Sequence, residues 1–147
     1  MLAVKNFIAL LAFLLLQNSS SIIAQSVNAK GKLIIVGGGS MPDTMYQLFA
    51  KSIGGKDQSV VVIPTATNDS AINAGAHLTR FKKEGFTNLI TVHARSKDAA
   101  DAPAFIKAIQ NAKGIYFSGG DQSRIADAFL GTQVHAAMLD LFKRGGV

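Results

Sequence analysis

Four short apolar runs, rich in β-branched residues and evenly spaced, limit what this chain can fold into. They occupy residues 32–36 (KLIIV), 59–63 (SVVVI), 88–92 (NLITV) and 114–117 (GIYF). None alternates polar with apolar, and strands buried on both faces read as continuous apolar runs. The stretches between them have helical periodicity. Residues 42–51 put Met45, Leu48 and Phe49 on one face, and 70–84 put Leu78 and Phe81 there. Residues 103–112 carry Phe105, Ile106 and Ile109, 123–130 carry Ile125, Ala128 and Phe129, and 134–144 carry Val134, Met138, Leu141 and Phe142. Repeated strand–helix order predicts a three-layer α/β fold, a parallel sheet with helices on both faces. Val147 reads as the first residue of a fifth strand. The sheet is therefore expected to be cut short, with an unpaired edge that invites aggregation.

The N-terminus reads as a segment to be removed. Lys5 is the only charge before an unbroken apolar run at 7–16, and Ala24 stands where a signal peptidase would cut. Charged, apolar and small-residue regions in that order form a secretory signal peptide. Ten apolar residues span about 15 Å as a helix, half of a hydrocarbon core of roughly 30 Å. A stable membrane anchor is not expected. The organisation predicted is a signal peptide at 1–24, a short mature N-terminal segment at 25–31 and the α/β domain at 32–147. The protein is expected to be secreted or periplasmic.

With no cysteine, nothing is stapled and no thiolate binds a metal. The formal net charge is +6, but the basic residues are scattered and no aromatic residues interleave with them. A nucleic-acid surface needs clustering, so no nucleic-acid partner is predicted. His77, His93 and His135 lack the three- or four-residue spacing of a metal-binding helical pair, so no metal is predicted.

Ligands of parallel α/β sheets bind outside the carboxyl ends of the strands. Three such ends carry turn-forming residues: 37–42, 64–70 and 118–123. The first holds Gly37, Gly38 and Gly39, which invites a nucleotide reading because glycine loops present N–H groups to phosphate. The dinucleotide fingerprint needs a third glycine where Pro42 stands and an acid after the second run, where Pro64-Thr65 occurs. The third end reads Ser118-Gly119-Gly120-Asp121-Gln122. Two glycines after a buried strand let the backbone approach a ligand and aim its N–H groups outward. The plainer reading is a turn in which Asp121 caps the next helix. The residues by themselves leave both open.

The ordered set of motifs resembles the cyanophycinase family of serine exopeptidases, related to dipeptidase E. The matching pieces are the Gly37–Gly39 triplet, VVVIPTAT at 60–67, Gly85-Phe86, His93-Ala94-Arg95, YFSGGDQ at 116–122 and KRGGV at 143–147. The resemblance implies a class I glutamine-amidotransferase-like fold and hydrolysis at acidic residues through an acyl-enzyme. It implies that Gly119, Gly120, Asp121 and Gln122 form an oxyanion and substrate-binding turn, with Gly38, Gly39 and His93 at the substrate edge. In the family, a Gly-x-Ser-Ala-Gly elbow with the nucleophile, then the histidine and acid, follow the segment matched by Val147. No catalytic residue is therefore assigned within this chain, which is expected to be an inactive, unstable N-terminal fragment. No cofactor is implied. The implied partner is a peptide with acidic residues, such as the aspartate–arginine polymer cyanophycin, and the complete domain is compatible with a homodimer. The alternatives are a non-catalytic binding protein of the same fold and a nucleotide- or phosphate-binding domain.

Overall fold

Strand β1 (Val60–Ile63) is the centre of the molecule, in a computed structural model that describes residues 29–147. Residues 1–24, expected to be a signal peptide, and most of 25–31 lie outside the described residues. All four side chains of β1 are fully buried, so both faces of the strand must be covered. Each such burial stabilises by about 1.5–3 kcal/mol over leaving the side chain exposed. Strands β2 (Leu89–Thr91) and β3 (Gly114–Phe117) flank β1 in the order β2-β1-β3. Both pairings are parallel, with Val61 opposite Ile90 on one side and Ile115 on the other.

Period-two alternation divides β1 between two cores. Val60 and Val62 face α1 (Asp43–Ile53) and an aromatic cluster. In that cluster Phe81 meets Tyr46, Phe86 and Tyr116 edge-on, with ring centroids 5.0, 5.1 and 4.9 Å away. Burial pushes the Tyr46 hydroxyl up to about 12. Val61 and Ile63 face the opposite core, which holds Ile109, Phe129, Val134 and Leu141. These come from α5 (Pro103–Asn111), α6 (Gln122–Phe129) and α7 (Gln133–Lys143). The predicted three-layer arrangement is thus present, with helices on both faces of a parallel sheet.

Several elements depart from the sequence reading. The 32–36 run is not a strand: Leu33 and Ile35 are 75% and 83% exposed. Lys32 donates its N–H to Gly146 O, but no strand among the described residues lies beside 33–36 to satisfy its backbone. Val147 does bond alongside β3, donating to Lys113 O and accepting from Ile115 N–H. The helix expected over 70–84 is two, α2 (Asp69–Asn73) and α3 (Ala76–Lys83), because Gly75 adopts φ +71° between them. A short α4 (Lys97–Ala100), capped by Ser96, was not anticipated. In α1 the buried face is Tyr46, Phe49, Ala50 and Ile53, while Leu48 points to solvent. No helix among the described residues is long and apolar enough to cross a membrane.

Candidate functional site

The parallel sheet brings the ends of β1, β2 and β3 to one edge, and their loops are bonded to one another there. The loop after β1 lies between the other two. Its buried residues Pro64, Thr65 and Ala66 continue the strand into the interior, and Thr67 and Asn68 turn outward. Asn68 then caps α2, accepting from Ala71 N–H and from the Ser70 hydroxyl.

On one side, Arg95 from the end of β2 grips this loop. Its Nη1 donates to Thr65 O at 2.5 Å, its Nη2 to Thr67 O at 2.7 Å, and its Nε to Asp69 Oδ1 at 3.0 Å, with a second, shorter contact from Nη2 to the same carboxylate. A planar guanidinium suits such a fork of oxygens; an ammonium does not. The hydrogen bond from Arg95 holds the Asp69 carboxyl below its usual range.

On the other side, the turn after β3 packs against the same loop. Asp121 N–H donates to Ala66 O at 3.0 Å, the Thr67 hydroxyl donates to Gly119 O at 3.2 Å, and the Thr67 and Ser118 hydroxyls are 3.1 Å apart. Arg124, on the first turn of α6, adds a bond to Thr67 O. Gly120 sits at φ +139°, and a Cβ there would stand 2.7 Å from the Ala66 carbonyl carbon and nearer still to its oxygen. Only glycine fits so close an approach. Asp121 also caps α6 by accepting from Ser123 N–H, so the helix-capping reading holds. The N–H groups of Gly119 and Gly120 have no acceptor among the described residues. Gln122 is exposed at the start of α6, with its side-chain amide uncommitted among them.

His93 lies under this arrangement. Its Nδ1 is 3.0 Å from Thr65 Oγ1 and its Nε2 is 3.6 Å from Asp69 Oδ1. Burial, reinforced by the Arg95 charge, holds its pKa below the ordinary 6.5 despite the nearby carboxylate. The ring is therefore neutral near pH 7, and its contact with Asp69 is not an ion pair. The carboxylate–imidazole–hydroxyl sequence has the order of a catalytic relay, but Thr65 is fully buried and no substrate carbonyl can reach it. His77 forms a comparable half-buried pair with Thr91 at 2.9 Å. No described group of His, Asp or Glu side chains is arranged to hold a metal.

Of the residues singled out from the sequence, Gly119, Gly120, Asp121, Gln122 and His93 share this edge. Gly38 and Gly39 make none of the bonds that join the three loops, and a Cβ on either would meet nothing within 4 Å. Sequence reasoning did not select Arg95, Asp69 or Arg124 as site residues. With Asn68 and Asp127 these line a pocket of about 330 Å³ beside the turn. Their signal was position alone: charged residues placed beyond the ends of three parallel strands.

Residues 33–147 match the model of peptidase family S51. The chain is similar in structure to a peptidase from an acI-B1 Actinobacterium, with a TM-score of 0.64 and 22% identity, a likeness that speaks for the fold. That alignment covers 76% of this chain and 49% of the other, so the chain spans about half the length of the solved structure it matches. No curated protein matches it. The family model takes in all three strands, the clasped loop and the Gly119–Gly120 turn, and the chain belongs to peptidase family S51.

Proposed function

We propose that this chain forms the substrate-holding part of an exported serine-type exopeptidase that hydrolyses peptide bonds at acidic, aspartyl residues through an acyl-enzyme. Cyanophycin is among the substrates this reading allows. The observation that carries it is the 119–122 turn. It is fixed from behind by the loop after β1, yet leaves the Gly119 and Gly120 N–H groups and the Gln122 amide uncommitted. Preorganised backbone donors are what a developing oxyanion requires, and a free side-chain amide suits the carbonyls and carboxylate of an acidic peptide.

We do not assign a nucleophilic role to the hydroxyls of Thr65, Thr67 and Ser118. Thr65 is buried against His93, and Thr67 and Ser118 bond each other rather than a base. The chain alone is accordingly proposed to bind without turning over, which is also how a non-catalytic binding protein of this fold would behave. Titration of the chain with an aspartyl–arginine dipeptide, followed by amide NMR and calorimetry, tests the reading. Binding should shift the Gly119 and Gly120 amides, and Gln122→Ala should weaken it by about three- to tenfold, the worth of one hydrogen bond. Absence of binding, or binding indifferent to Gln122→Ala, removes the substrate role from the turn. Release of free aspartate by the chain alone would overturn the proposal that it binds without turning over.

A further inference from the structure

We infer that Arg95 is a positioning residue for the 119–122 turn, acting through the loop after β1 and never touching substrate. This rests on the reading above, in which that turn holds substrate. Residues 65–69 form a thin layer with a guanidinium on one side and the turn on the other. Arg95 takes the carbonyls of Thr65 and Thr67 and the Asp69 carboxylate. The residues between and beside those anchors are the ones that hold the turn: Ala66 O receives Asp121 N–H, and the Thr67 hydroxyl donates to Gly119 O.

The geometry leaves little slack. The turn approaches Ala66 so closely that Gly120 has no room for a Cβ, so a shift of Ala66 must move the Gly120 backbone with it. Arg95 meanwhile has its Nε and both Nη atoms occupied within the protein, so it has little left to offer a ligand. Asp69 completes the clasp by balancing the charge of the fork. A lysine at 95 would keep the charge but could not reach three oxygens in one plane.

The test uses the full chain and three variants: Arg95→Ala, Arg95→Lys and, as a control, Arg144→Ala. Arg144 also grips backbone carbonyls, those of Ile109, Gln110 and Ala112, but does so away from the turn. The first readout is hydrogen exchange of the Asp121 amide, whose acceptor is Ala66 O. Charge-assisted bonds are lost in Arg95→Ala, so Asp121 exchange should accelerate about ten- to hundredfold relative to the amides of β1. Arg95→Lys should recover only part of this. Arg144→Ala should change the two sets in proportion. Adding methylguanidine to Arg95→Ala should slow Asp121 exchange again, while methylamine should not. The second readout is affinity for the aspartyl–arginine dipeptide, expected to fall in Arg95→Ala and to return with methylguanidine.

Asp121 exchange that follows β1 in Arg95→Ala, or that Arg144→Ala perturbs as selectively, overturns the positioning role. Failure of the wild-type chain to bind the dipeptide sinks the substrate reading instead. The exchange readout then still decides whether Arg95 sets the turn.

Discussion

Placing a methyl group on Gly120 should damage this protein far more than placing one on its neighbour Gly119. At Gly120 φ is +139°, a backbone region that side-chain-bearing residues enter at a cost of about 1–3 kcal/mol. The new Cβ would stand 2.7 Å from the Ala66 carbonyl carbon and 3.2 Å from the Ala66 Cβ, and relieving such overlap costs roughly 1–3 kcal/mol. Moving the turn away breaks the bond from Asp121 N–H to Ala66 O, worth about 0.5–1.5 kcal/mol. These costs overlap, because shifting the turn relieves the clash while losing the bond. The net loss for Gly120→Ala should be about 3–4 kcal/mol, a large share of the 5–15 kcal/mol typical of a domain. With a urea slope of about 2 kcal/mol/M, the unfolding midpoint should fall by roughly 1.5–2 M. Gly119→Ala meets nothing within 4 Å and should cost under about 1 kcal/mol. Urea unfolding followed by circular dichroism on both variants is sufficient. If Gly120→Ala lies within about 0.5 kcal/mol of the parent, or if Gly119→Ala is equally damaging, the close docking of the turn on Ala66 is wrong.

Two further outcomes follow from the histidines and the N-terminus. His77 and His93 both have folded-state pKa values below the ordinary 6.5, chiefly through burial. The unfolded chain therefore binds more protons as the pH falls, so their contribution is intact above 6.5 and is lost as pH drops through the folded values. The urea midpoint should be lower at about pH 5 than at about pH 7.5, and a His77→Gln, His93→Gln double variant should flatten the difference; a midpoint that rises on acidification contradicts the assignment. Asp69 adds to the same trend at lower pH, since a depressed carboxyl loses its contribution only as pH falls through its folded value. Export predicts a mature N-terminus near Gln25, read by N-terminal sequencing of periplasmic or secreted material, and recovery only of uncleaved protein in membranes would refute it.

The sequence by itself determined the layer architecture, because that rests on patterns short enough to read locally. Val60, Val61, Val62 and Ile63 form a run with no polar face, and such a run has to be covered on both sides. The stripe Phe105, Ile106 and Ile109, and that of Val134, Met138 and Leu141, each need a sheet face to cover, though not a particular one. The 118–122 stretch was likewise legible as a turn with Asp121 capping the next helix, but that Gly120 docks against Ala66 was not. Tertiary structure decided the rest. Residues 32–36 have the composition of a strand, but a strand also needs a neighbour for its N–H and C=O groups, and composition cannot say whether that neighbour is there. The rotation of α1 that exposes Leu48 depends on which face the sheet offers. Arg95, Asp69 and Arg124 became a clasp only when parallel pairing brought residues 26 to 57 positions apart in the chain to one edge. A guanidinium reads locally as a solvated charge, and only the fold supplies the three oxygens that give it a task.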